Sequence, residues 1–165
     1  MAMMILAVSA FSAQTNSIPN RLIDYDTFLV NAVEVGRLRQ ERRITEREFI
    51  EMASQPGTVI FDARSDDKFK QLHIKGARHL SFSEITAAQL EKVVPSKATR
   101  VLIYCNNNFL NAPNTFASKA PSASLNIHTF NTLHAYGYTN VYELGPLIDI
   151  RQTRLSLEGS QLQSP

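Results

Sequence analysis

Three short runs and a shorter fourth constrain what this chain can fold into: Thr58–Phe61, the pair His79–Leu80, Arg100–Tyr104 and Asn140–Leu144. The longer three are rich in β-branched and aromatic residues, the composition of buried strands. The stretches between them carry helix signals and are long enough for parallel crossovers, which need roughly a dozen residues or more and are right-handed. The order predicts an α/β domain with a mostly parallel central sheet and helices on both faces. Ligands of such sheets bind beyond the carboxyl ends of the strands. Asp62, Arg64 and Cys105 all fall at those ends.

Helix boundaries are marked by capping chemistry. Thr45-Glu46-Arg47-Glu48 reads as a capping box that opens a helix with Phe49, Ile50 and Met52 as its apolar positions and Pro56-Gly57 as its stop. Ser65 followed by Asp66 and Asp67 is an N-cap with acidic residues in the first turn. Thr86 and Gln89 form a second box pattern, closed at Pro95. Leu125, Phe130 and Leu133 recur at helical intervals, and Gly137 suits the C′ position. Upstream, Phe28, Leu29, Ala32, Val33 and Val35 suggest one amphipathic helix, with charges gathering toward Arg43. Residues 106–120 read as a loop and residues 149–165 as a polar tail.

At 165 residues the chain suits one domain, and its net charge of +2 gives no electrostatic case for nucleic acid or a membrane surface. No two histidines have metal-ligand spacing, so neither a metal nor another cofactor is expected. Residues 1–13 are apolar and then turn polar. They read as a possible export signal cut between Phe11 and Gln14, with an apolar helix packed on the domain as the alternative. The run is too short for a membrane span of ~20 residues. On the export reading the protein is periplasmic or secreted; on the alternative it is cytoplasmic. Residues 14–43 then form a linker and an N-terminal helix.

Cys105 is the sole cysteine, so no internal disulfide is available. It ends a strand and opens the run "CNNNFL". Successive backbone N–H groups in a curled loop make a nest with positive potential, which favours anions and thiolates. An inert buried thiol is the competing reading.

From about Ile44 to Leu147 the chain resembles a rhodanese domain. "TVIFDAR" is similar to that family's first core strand with its Asp-x-Arg, and "HIKGARHLSF" to its His-Ile-x-Gly-Ala stretch. "VLIYC" resembles the strand that ends in the active-site cysteine, and "LHAYGYTNVYEL" the closing helix, turn and strand. The resemblance implies a rhodanese-like three-layer fold over residues 44–148 and sulfur transfer through a persulfide on Cys105. A small sulfur donor such as thiosulfate would load it, and a thiol or cyanide-like acceptor would unload it. Asn106, Asn107, Asn108, Phe109 and Leu110 would then line the substrate site, with Asp62 and Arg64 supporting it. Many members carry a cation in this six-residue loop, and here there is none. The uncharged loop implies a preference for donors less charged than thiosulfate. The Cys-x5-Arg pattern of related phosphatases is also absent, because Asn111 stands at the arginine position.

Other residues read as structural. Arg64 pairs with Asp62 at the strand end, His73 shapes its turn, and Lys119 is a surface lysine. The three asparagines serve as turn formers, as neutral donors replacing the missing cations, or as both. Phe109 and Leu110 either select the donor or anchor the loop. A rhodanese-fold binding module without turnover is the rival to the enzyme.

Overall fold

The computed structural model describes Ile18 and residues 20–162. The expected export signal at 1–13 lies outside them. The chain runs α1 (Tyr25–Arg42), β1 (Arg43–Ile44), α2 (Glu46–Ala53), β2 (Thr58–Asp62), α3 (Asp66–Gln71), β3 (His73–Ile74) and β4 (Arg78–His79). It continues with α4 (Ala87–Val93), β5 (Arg100–Tyr104), β6 (Phe109–Leu110), α5 (Leu125–Ala135), β7 (Val141–Leu144), β8 (Ile148–Asp149) and β9 (Leu157–Glu158). The main sheet has the order β1-β7-β5-β2-β4, and every pairing in it is parallel.

Strand alternation divides the core. On β5, Val101 and Ile103 face a cluster with Val35, Leu90, Phe130 and Leu133, which belong to α1, α4 and α5. Leu102 and Tyr104 face a second cluster with Phe49 of α2, Phe109, Phe116 and Leu155. This is the expected mostly parallel sheet with helices around it.

The local signals act as their chemistry requires. The Thr45 hydroxyl accepts from the Glu48 N–H at 3.2 Å, and the Glu48 carboxylate accepts from the Thr45 N–H at 2.8 Å. Thr86 caps α4 through the Gln89 N–H. At the end of α5, the Gly137 N–H reaches His134 O and the Tyr138 N–H reaches Leu133 O, a Schellman pattern. It requires the positive φ of +82° that Gly137 adopts without strain.

Three long-range features depart from the sequence reading. In α1 the inward residues are Asn31, Ala32, Val35, Leu38 and Arg39, whereas Phe28, Leu29 and Val33 remain exposed. The helix therefore packs through residues 31–39, against α5 and β7. The 106–120 segment is not simply a loop, since it contains a 3-10 turn and β6, which pairs in parallel with β8.

The tail is folded as well. β9 pairs antiparallel with β3, Leu155 is buried, and Gly159 passes so close to Gln71 that a Cβ would lie 2.4 Å from its carbonyl oxygen. Single leucines between polar residues carry this docking, which is why no apolar run announces it. No helix among the described residues is long and apolar enough to cross a membrane.

Glu158 fastens this strand, accepting from the Gly76 N–H at 3.0 Å and lying 3.1 Å from His73 Nε2. Its pKa is lowered, chiefly by the Gly76 N–H and also by His73. A carboxylate depressed in the folded state stabilises above its unfolded pKa of about 4.3 and loses that contribution as pH falls through the folded value. Protection of the Lys75 N–H, which donates to Ser156 O, should therefore drop between pH 5 and 3 in hydrogen-exchange NMR. Glu158→Gln should show weakened protection already at neutral pH. A wild-type profile flat over that range would contradict the latch.

Candidate active site

Cys105 follows β5 directly and is buried at the wall of a cavity of about 460 Å³. The alternation of Val101 and Ile103 on β5 continues to Cys105 and sets it on the side covered by α1 and α5. Ser124, the N-cap of α5, does not cap its own helix with its side chain. Its hydroxyl instead lies 3.4 Å from the Cys105 sulfur. The positive end of the α5 dipole thus abuts the thiol.

The asparagines do structural work. The Asn108 and Phe109 N–H groups close the turn onto the Cys105 and Asn106 carbonyls, which leaves those of Asn106 and Asn107 at its open end. Asn108 Oδ1 accepts from the Cys105 N–H at 2.9 Å and from Asn126 Nδ2 at 3.0 Å, while its own Nδ2 donates to Leu144 O at 2.7 Å. Asn106 donates to Ala117 O, and Asn107 exchanges hydrogen bonds with the Lys119 backbone. The amide donors expected to replace a cation are thereby spent on carbonyls. They tie the 111–120 loop and β7 to the cysteine turn.

The remaining expected site residues separate. Phe109 is 1% exposed, with its ring centroid 4.4 Å from that of Phe116, so it anchors the loop on the core. Leu110 is exposed and lines the cavity together with Asn107 and Asn108. Asp62 and Arg64 are buried and bonded to each other at 2.6 Å, and Arg64 also donates to Leu72 O and Thr115 O. Burial works against the Arg64 charge, yet its hydrogen bonds and attraction to Asp62 keep its pKa above the ordinary value. Tyr104 donates its hydroxyl to Asp62; burial first, and then that carboxylate, push its pKa well up. This buried group acts as a hub beneath the loop.

The charge missing from "CNNNFL" comes from elsewhere. Arg39, Arg43 and Lys119 line the Cys105 cavity, with Glu143 between the two arginines. Arg39 reaches it because it lies one turn beyond Val35 on the inward face of α1. Arg43 is the register partner of Glu143 across β1 and β7. The sequence reading missed Arg39, Arg43, Ser124, Asn126 and Glu143. One signal was available: Glu143 interrupts an otherwise apolar strand, and a buried carboxylate requires a cationic or hydrogen-bonding partner.

Known proteins give a consistent picture. The family model for the rhodanese-like domain matches residues 45–145. No curated protein sequence matches the chain. Among solved structures, the rhodanese-like domain of an Anabaena protein superposes with a TM-score of 0.52 at 15% identity, covering 75% of this chain and 83% of that one. A Bacillus halodurans protein gives 0.50 at 16% identity, covering 82% and 91%. A thiosulfate sulfurtransferase from Pseudomonas aeruginosa gives 0.51 at 19% identity, covering 81% of this chain and 24% of the other. At these identities the structures speak for the fold, and the match over 45–145 speaks for the family: the chain belongs to the rhodanese-like domain family.

Proposed function

We propose that the protein is a sulfurtransferase that carries sulfane sulfur as a persulfide on Cys105. The observation that supports this most is the placement of the sole cysteine at the carboxyl edge of a parallel sheet, at the wall of a cavity lined by three cationic side chains. In the first step the Cys105 thiolate attacks the outer sulfur of thiosulfate. A Cys105 S–S bond forms, the sulfur–sulfur bond of the donor breaks, and sulfite leaves with the electron pair. In the second step an acceptor thiolate attacks the terminal sulfur, forms its own persulfide and returns Cys105 as thiolate. The Ser124 hydroxyl, 3.4 Å from the Cys105 sulfur, is a donor placed beside the charge that develops. Leu110 forms an apolar side of the cavity. A groove of about 690 Å³ lies beside it, with Arg43, Gly145 and Leu147 lining both.

Mass spectrometry of the intact protein after exposure to thiosulfate, and separately to a low-molecular-weight persulfide, tests the reading. A gain of about 32 Da on Cys105, lost on adding a thiol acceptor, is the expected result. No adduct from either donor would set the enzyme aside in favour of a rhodanese-fold binding module.

A further inference from the structure

We propose that Arg39, on α1 and outside the segment matched by the family, sets the charge of the Cys105 pocket and makes it select anionic sulfur donors; the donor half of this rests on Cys105 carrying the sulfur. The argument begins at Glu143. Its carboxylate is 4% exposed, and it is held by a two-pronged contact from Arg39, Nε to Oε2 at 2.6 Å and Nη2 to Oε1 at 2.8 Å. Arg43 adds a looser contact at 3.6 Å and donates to Gly145 O. Two guanidinium groups around one carboxylate leave a surplus positive charge on the cavity wall. Lys119 adds a further charge from the loop, and α5 presents the uncharged Ser124 and Asn126.

The pair with Glu143 fixes the Arg39 fork and does not consume it. Among the described residues two of the five guanidinium N–H donors are engaged, and the side chain, which lines the cavity, is 23% exposed. Arg39 is therefore available to an incoming anion as a positive charge held in a fixed place. Its pKa is raised, first by the hydrogen bonds to Glu143, which outweigh burial, and then by the attraction of the same carboxylate. The uncharged cysteine loop thus does not imply an uncharged site.

Alkylation of Cys105 reads this charge without any sulfur chemistry. Iodoacetate and iodoacetamide are similar in size and differ in charge, so their rate ratio at one pH and low salt reports the local field. Arg39→Gln should lower the iodoacetate-to-iodoacetamide ratio about 3- to 10-fold, and Glu143→Gln should raise it by a similar factor. Arg39→Lys should stay within about twofold of wild type, and added salt should shrink all differences. The kcat/KM ratio for thiosulfate over a less highly charged persulfide should follow the same order. A merely structural role would move the two variants in the same direction, and that result, or no movement, overturns the proposal. If Arg39→Gln does not fold, Glu143→Gln decides alone, and absence of a rise overturns it. Ratios that shift while no persulfide ever forms would leave the charge assignment standing and remove the sulfur-transfer reading. A persulfide formed with unchanged ratios would do the reverse.

Discussion

Cys105→Ser is expected to lose sulfur transfer from every donor while keeping a native fold. The proposed route passes through a bond to this one sulfur, and no second cysteine exists to replace it. A serine hydroxyl at neutral pH is a weak nucleophile without an adjacent base. A loss of at least about 1000-fold, or roughly 4 kcal/mol of transition-state stabilisation, is therefore the least that should be seen. Stability should change little. The thiol is enclosed but has the Ser124 hydroxyl 3.4 Å away, a partner that a serine at 105 could share. The expected cost is about 1 kcal/mol, the usual scale of one altered hydrogen bond. Thermal melting and transfer assays with thiosulfate and a persulfide donor check both halves. Transfer by Cys105→Ser within tenfold of wild type would end the mechanism.

The second large effect is expected at Arg64. Asp62 is 0% exposed and Arg64 2%, and their contact at 2.6 Å is supplemented by the Tyr104 hydroxyl on Asp62. The guanidinium carbon lies 4.2 Å from the centroid of Phe116, and the same group donates to Thr115 O. Arg64→Leu leaves the Asp62 charge buried with no counter-ion, a change that costs about 3–5 kcal/mol. Against a total stability of roughly 5–15 kcal/mol, this is enough to unfold much of the protein near 37 °C. The loop at 111–120 loses the hydrogen bond from Arg64 to Thr115 O in the same step. The pair itself is a different matter, because two charges in the interior are costly to desolvate. Asp62→Asn combined with Arg64→Leu removes both charges and keeps an acceptor for Tyr104. The double variant should be more stable than Arg64→Leu alone. Urea midpoints compare the three proteins. A single variant that loses less than about 1 kcal/mol, or a double variant weaker than the single, would contradict this account.

The sequence by itself determined the elements whose signals are local. Thr45 and Glu48 are three residues apart and cap α2 as their spacing demands, and the Gly137 turn closes α5 through residues on either side of it. The apolar run ending at Tyr104 placed Cys105 at the sheet edge, because strand period and strand end are properties of contiguous residues. The Asp62–Arg64 pair was legible for the same reason, being two residues apart. What surrounds the thiol was decided only by the tertiary structure. Arg39 and Glu143 are 104 residues apart, and nothing in either segment alone names its partner. His73 and Glu158 meet across 85 residues through a strand too short to leave a period. The asparagines after Cys105 offered donors in the sequence, and folding directed those donors to carbonyls of β7 and the neighbouring loop. Local spacing fixes which backbone conformation a segment adopts. The direction in which packed elements aim their charged side chains depends on how distant surfaces fit together, and that fit carries the Arg39 charge to the Cys105 cavity.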